Sequence, residues 1–289
     1  MQDSSRRNRA AALLSVASNA TLTIAKVVLG LVTGSVAVLS EAAHSASDLV
    51  ASVIAFVAVR TSARPPDRDH PYGHEKAENL AAAIEGALVL LAGAAVAAEA
   101  LRRLIGGAPA VDHIGLAVAV MAVSALVNVV VSARLRRVGR ETGSPAIEGD
   151  AAHLTADVWT SVGATVGLAL AWITGWAPLD AIAALAVAGY VVVMGVRLVI
   201  RAGQVLLDSS LPDDEMAAIQ LALEGFSDDG VSFHALRARR AGSKRHVDLH
   251  MVVPPETTVR NGHVMSGRVK GAVRDAVPNA EVLIHLEDH

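Results

Sequence analysis

Six long stretches of the chain are apolar on nearly every side, separated by short breaks rich in polar residues, Gly or Pro. They run over roughly 11–33, 36–60, 78–104, 113–135, 151–174 and 179–206. A helix needs about 20 mostly apolar residues to cross a bilayer, so each stretch predicts a membrane span. The breaks read "TGS", "RPPDRDHPYGHEK", "GGAPAVD", "RRVGRETGSP" and "TGWAPLD". The first span is the least apolar, carrying Asn19 and Lys26. After about residue 209 the pattern changes. "DDEMAAIQLALEG" following Pro212 has the periodicity of an amphipathic helix, and "VSFHALRARRA" and "KRHVDLHMVV" alternate like strands around a turn at Gly242. "TVRNGHVMSGRVKGAVRDAV" predicts a second helix and "AEVLIHLED" a last strand. The expected architecture is a polytopic α-helical membrane protein of six spans, over 1–208, carrying an αββαβ domain over 209–289.

Composition agrees with that division. Of 289 residues, 53% are hydrophobic, and the mean hydropathy is +0.45, high for a soluble protein. A net charge of −3 gives no reason to expect nucleic acid as a partner. There is no cysteine, which removes disulfides, thiolate metal sites and cysteine nucleophiles together. The basic N-terminus lacks a cleavage pattern, and the first apolar stretch is expected to be a retained span. Positive charge then sets the orientation. Arg6, Arg7 and Arg9 precede span one, Arg60, Arg64, Arg68 and Lys76 surround the second break, and Arg134, Arg136, Arg137 and Arg140 surround the fourth. The opposite side holds Arg102 and Arg103. Both termini are therefore expected in the cytoplasm and the spans in the inner membrane. Gly30/Gly34 and Gly163/Gly167 offer places where helices could approach closely.

Within the apolar stretches, "AAHSASD" (42–48) and "AAHLTAD" (151–157) repeat one arrangement. Residues i and i+4 share a helix face, about 6 Å apart along the axis. His44 and Asp48 therefore point together from span two, and His153 and Asp157 from span five. Ionisable groups at such depth are costly and mark ion or proton pathways. If the two helices are neighbours, two imidazoles and two carboxylates converge into a tetrahedral N/O site suited to a divalent cation such as zinc. The same donors would take iron, manganese, cobalt or cadmium. A polar contact between helices is the alternative for one pair, and its repetition argues for the metal. Glu41 and Asp150 fall near helix ends, where a gating or simply solvated role is expected. Glu85, Glu99, Asn19 and Asn128 are expected to hydrogen-bond between helices.

An intramembrane zinc hydrolase would need H-E-x-x-H or an equivalent base beside an open coordination position. Neither heptapeptide has a glutamate beside its histidine, so no enzyme activity is expected. A proton-coupled exporter of organic cations would leave the histidines unexplained.

The paired H-x-x-x-D motifs, "DRDHPYGHEKAE" after span two and "LLDSSLP" before the αββαβ domain resemble the cation diffusion facilitators across almost the whole chain. The resemblance implies a homodimer that exports divalent metal from the cytoplasm in exchange for protons, with its transport site at His44, Asp48, His153 and Asp157. The His/Asp composition on both helices is similar to that of zinc-selective members. It further implies a loop metal site at Asp67, His70 and His74, and a charged pair interlocking the subunits at Lys76 and Asp208. The soluble domain resembles the family's metallochaperone-like domain. That implies metal ligands at His234, His250, His263 and His285, with Glu287 standing where many members have Asp, and zinc bound there as a regulator. His246 matches no ligand position, and the terminal His289 is left out.

Overall fold

In the computed structural model, residues 2–34, 36–106, 114–176 and 178–288 are described. Six long helices come first: α1 (Gln2–Thr33), α2 (Val36–Ser62), α3 (Lys76–Gly106), α4 (Ile114–Thr142), α5 (Pro145–Thr174) and α6 (Pro178–Leu206). Among the described residues, five segments are long and apolar enough to cross a membrane: Ser4–Thr33, Glu41–Ser62, Lys76–Ile105, Ala119–Thr142 and Ala181–Leu206. The remaining helix, α5, is 30 residues long and ends in the apolar run "GLALAWIT". This is the polytopic membrane fold that the hydropathy predicts.

The helices are longer than the apolar windows. α1 begins at Gln2, α4 continues to Thr142, and the break expected over 136–145 shrinks to Gly143 and Ser144. Hydropathy marks where lipid ends, whereas a helix ends where its backbone is capped. The Ser144 side chain accepts from the Ile147 amide, and Pro145 occupies the first helical position, which needs no donor. Gly143 and Gly175, with φ of 65° and 69°, adopt the left-handed conformation that stops α4 and α5.

Chain contacts separate Gln2–Gly203 from Gln204–His289. In the first unit α2 packs against α1, α3 and α5, and α4 packs against α5 and α1. One end of this bundle is closed by Ala12, Val59, Ala81, Leu135, Ile147 and Leu154. Small residues set the spacing elsewhere. A Cβ on Gly30 would lie 2.7 Å from Leu39, and one on Gly163 would run into Val187. Gly34, by contrast, has φ of 65°, and a Cβ there would meet nothing within 4 Å among the described residues, so this glycine serves the turn of the chain. Leu31, Leu91, Leu126 and Val130 stand exposed on the helix surface, which is stable when lipid covers it.

The second unit contains the predicted order, α7 (Asp213–Glu224), β1 (Ser232–Ala241), β2 (Lys244–Val253), α8 (Val259–Ala276) and β3 (Ala280–Asp288), with one 3-10 turn at Ser227–Asp229. The sheet order is β1-β2-β3, β2 being antiparallel to β1 and parallel to β3. Val247, Leu249 and Met251 alternate onto the face covered by the helices, where they meet Ile219, Val269 and Val273. Each buried side chain of that size stabilises by about 1.5–3 kcal/mol. The opposite face of β2 carries His246, Asp248 and His250. Phe233 and Leu236 both pack on the core although they are three apart, which strict alternation forbids. A β-bulge between His234 and Arg237, with Ala235 at φ 51°, supplies the change of phase.

Candidate functional site

Successive helices joined by short breaks run antiparallel, so α2 and α5, three apart in order, run in opposite directions. Their H-x-x-x-D motifs therefore meet head to tail, and each histidine faces the other helix's aspartate. His44 Nε2 lies 3.6 Å from Asp157 Oδ1, and His153 Nε2 lies 3.3 Å from Asp48 Oδ1. Within α2, His44 and Asp48 are 4.0 Å apart. Ligand atoms of His44, Asp48 and Asp157 all fall within 4.8 Å of one another, close enough to share one cation. Asp157 Oδ2 is buried without a hydrogen-bond partner among the described residues, as an anionic oxygen awaiting a ligand would be. The side chains of Asp48, Asp157 and His153 are nearly enclosed, whereas that of His44 is 47% exposed.

The pairing continues one step further. Ser52, four residues after Asp48, donates to Asp150 Oδ1 at 3.3 Å and lies 3.0 Å from Ser15 of α1. The three rungs are His44–Asp157, Asp48–His153 and Ser52–Asp150. Asn19 braces them from α1, donating to Ser52 and, at 3.4 Å, to the Asp48 carbonyl. Asp150 is 0% exposed, which corrects the expectation of a solvated group at a helix end. Lys26, also on α1, reaches Ser45 at 2.7 Å and Glu41 at 3.2 Å. The weak hydropathy of the first span thus comes from side chains turned inward onto α2.

The α2–α3 loop forms a second cluster. Asp67 Oδ1 accepts from the His70 amide at 2.7 Å and the Asp69 amide at 3.0 Å, folding the loop around the carboxylate. Its oxygens then face His70 Nδ1 at 3.3 Å and His74 Nε2 at 3.2 Å. The hydrogen bond from the His70 amide, helped by His74, holds the Asp67 carboxyl below its ordinary range, in the ionised form a metal needs. Three donors within 4.8 Å fit a cation with a coordination position left open.

The third cluster lies on the open face of the sheet. His234 pairs with His250 and His250 with His285 across the strands, so all three share one face, and Glu287 follows two residues along β3. Glu287 Oε2 lies 2.8 Å from His234 and Oε1 2.7 Å from His250, with His285 at 3.7 Å. The longer glutamate arm thus reaches all three of these histidines, while His246, on the same face, lies 3.3 Å from Glu281. Its carboxyl is lowered from the usual range, chiefly by the His234 hydrogen bond and then by His250. His234, His250 and Glu287 form a group able to hold a metal. His263 is not brought to it, lying exposed near the start of α8. Lys76 opens α3 in the first unit, and Asp208 follows α6 in the second, where it accepts from Arg239 at 3.0 Å. His289 lies outside the described residues.

Residues 12–207 match the family profile described as the cation efflux transmembrane domain, and residues 211–289 that of the cation efflux protein, cytoplasmic domain. The chain belongs to the cation diffusion facilitator family. This cation diffusion facilitator is 36% identical to an uncharacterized transporter of Synechocystis sp. over 256 residues, covering 89% of this chain and 82% of that protein. It is 34% identical over 280 residues to the cation-efflux pump FieF of Yersinia pestis, covering 96% of this chain and 92% of the pump. A solved structure of the proposed zinc transporter CzrB, in its zinc form, matches 28% of this chain and 93% of its own, at 29% identity and a TM-score of 0.27. The family is one of multi-pass membrane transporters for metal cations, and not of enzymes.

Two buried carboxylates of this facilitator stand in other surroundings than expected. Glu85 of α3, 0% exposed, approaches His153 Nδ1 to 4.0 Å and makes no hydrogen bond among the described residues. Asp150 forms the third rung. Asp150 stands three residues before His153 on α5, but no local pattern says which way it faces, and Glu85 lies on α3, where no motif residue stands beside it. Glu99, expected to bond between helices, pairs instead with Arg102 and Arg103 on its own helix, each at 2.8 Å. Asn128 Oδ1 has no partner among the described residues.

Proposed function

We propose that this transporter exports Zn2+ from the cytoplasm by alternating-access antiport against protons, working as a homodimer in the inner membrane with both termini cytoplasmic. The observation that carries the reading is the crosswise pairing of His44 with Asp157 and of Asp48 with His153 inside the bundle. Imidazole binds metal when neutral and carboxylate when ionised, so protons and Zn2+ compete for the same four side chains. Without metal, a buried pair of carboxylates is stabilised when protons charge the imidazoles beside them. Release of Zn2+ on the outer side is then tied to proton uptake, and uptake from the cytoplasm to proton release. The inward proton gradient drives the cycle. The nitrogen and oxygen donors suit zinc, and Fe2+, Mn2+, Cd2+ and Co2+ accept the same ligands.

On this reading residues 1–208 carry transport and 209–289 regulate it and help to dimerise the chain. Zn2+ at the sheet would be held by His234, His250, Glu287 and His285, with His263 entering as a ligand of a second ion. The metal would supply a cross-link between strands that rises and falls with cytoplasmic zinc. Asp67, His70 and His74 would hold a further ion in the loop, and Lys76 and Asp208 would interlock the subunits.

The test is Zn2+ flux into proteoliposomes under an imposed pH gradient, with wild type and Asp157→Ala side by side. Gradient-driven uptake lost in the variant supports the antiporter and its site. Folded wild type that moves no zinc but moves manganese, iron or cadmium reassigns the substrate. If it moves none of them, the proposal fails.

A further inference from the structure

The quartet explains one side of the His153 ring and leaves the other without a role. Nε2 faces Asp48 at 3.3 Å. Nδ1, on the far side, is buried and has no hydrogen-bond partner among the described residues. Opposite it stands Glu85 Oε2, 4.0 Å away, from a side chain with 0% exposure whose two oxygens are equally without partners. A buried donor and a buried acceptor are each costly when left unmade. Here they face one another across a gap that a movement of about 1 Å at the end of the Glu85 side chain would close to hydrogen-bond length.

The backbone is arranged to bring them there. Gly149 lies four residues before His153 on α5, and so on the same face. A Cβ at Gly149 would stand 3.2 Å from Ala82 Cα and 3.3 Å from Glu85 Cβ and Cγ. The missing side chain lets α3 approach α5 and lays the stem of Glu85 across the helix one turn from His153.

A neutral imidazole carries one proton, and the nitrogen that bears it cannot bind metal. His153 therefore serves the cluster when the proton is on Nδ1. Asp48 pulls the other way, because a carboxylate 3.3 Å from Nε2 favours a proton on that nitrogen. Metal-binding histidines are commonly held in the right tautomer by an oxygen acceptor on their second nitrogen.

We propose that Glu85 is the positioning residue for His153, accepting its Nδ1–H and so keeping the Nε2 lone pair turned toward the transported cation. This rests on the reading of the quartet as the transport site. An oxygen acceptor is what the role requires, so glutamine should largely replace glutamate and a hydrocarbon of similar size should not.

The test compares full-length wild type, Glu85→Gln, Glu85→Leu, Glu85→Met and Asp157→Ala in proteoliposomes. The rate is read against Zn2+ concentration, and the His153 tautomer is read from nitrogen-15 chemical shifts of the ring. Glu85→Leu and Glu85→Met are expected to raise the KM for Zn2+ by about 10- to 100-fold, with the maximal rate changed much less. They should also move the His153 proton toward Nε2. Glu85→Gln is expected to restore both readouts most of the way to wild type. Glu85→Met provides the same comparison if the leucine variant does not fold, and the tautomer of Glu85→Gln does so if neither does.

An unchanged KM and tautomer in the hydrocarbon variants would overturn the proposal. So would an equal fall in maximal rate across all three Glu85 variants at constant KM, which is what a packing role predicts. Glu85→Gln as inactive as Asp157→Ala would make Glu85 a ligand in its own right and equally overturn it. Flux retained in Asp157→Ala would instead sink the quartet as transport site, and the His153 tautomer would still judge the role of Glu85 separately.

Discussion

The helix bundle and the small sheet each gather histidines around carboxylates, and they do so with opposite exposure. In the bundle Asp48 and His153 have side chains 7% and 6% exposed, whereas in the sheet His234 and His285 are 53% and 66% exposed. The geometry differs as well. Between antiparallel helices the donors meet rung by rung at four-residue intervals, while across strands they line up in register at neighbouring positions. Exposure decides what an empty site does. Water can solvate the sheet histidines when no metal is bound, so their occupancy can follow concentration with little else changing. The enclosed Asp48–His153 rung between α2 and α5 has no such exchange, and losing a cation there would demand compensation by protons. A buried cluster suits coupling, and an exposed one suits sensing.

The largest expected effect separates the two directly. Asp157→Ala should lower Zn2+ flux by about 100-fold or more, because truncating one partner leaves the others buried and uncompensated. The variant's fold is checked by its elution at the wild-type position, and flux is measured under the pH gradient. Residual transport near the wild-type rate would remove the distinction between the regions. Next come the two histidines of the quartet. His153 is enclosed and faces Glu85, while His44 is about half exposed. His153→Ala should therefore cost more flux than His44→Ala, where water can replace the lost ligand. The reverse order would mean that exposure does not rank these ligands.

A smaller effect is expected from the sheet. The double substitution His234→Ala, His285→Ala should leave the maximal rate within about 2-fold of wild type. It should shift the Zn2+ concentration that activates transport by about 10-fold, since on the proposed reading metal would act there by differential affinity for two arrangements. Stopped-flow flux at stepped internal zinc measures this. A loss of maximal rate as deep as in Asp157→Ala would make the sheet part of the transport pathway.

Much of this organisation is legible in the chain. Apolar length gives the spans, alternation gives the strands, and the repeated H-x-x-x-D places four candidate ligands on two helix faces. Local pattern cannot give the crosswise pairing of His44 with Asp157, because that depends on α2 and α5 being antiparallel neighbours a hundred residues apart. The inward turn of Lys26 and Asn19 is lost for the same reason: in a helix surrounded by lipid and by other helices, hydropathy does not say which side is which. Helix ends in water were missed because Ser144 and Pro145 act through backbone capping, to which hydropathy is blind. The bulge at Ala235 shows in hindsight as the break of alternation in "FHAL".

The smallest effect concerns acid. The Glu287 carboxyl is lowered in the folded sheet chiefly by its hydrogen bond with His234. A carboxyl with a depressed folded pKa stabilises the fold above its unfolded value, about 4.3 for glutamate, and the contribution fades as pH falls through the folded value. In metal-free protein, Glu287→Gln should therefore flatten the fall in the soluble domain's melting temperature below about pH 4.3, leaving a modest constant difference above it. The effect is small because the group is open to water, which screens it. Zinc at neutral pH should raise the melting temperature of the wild type more than that of Glu287→Gln, since binding to the folded state alone adds stability. Equal zinc stabilisation in both would mean that Glu287 orders the histidines without binding the ion, and the exposed cluster would then be three imidazoles held by a carboxylate strut.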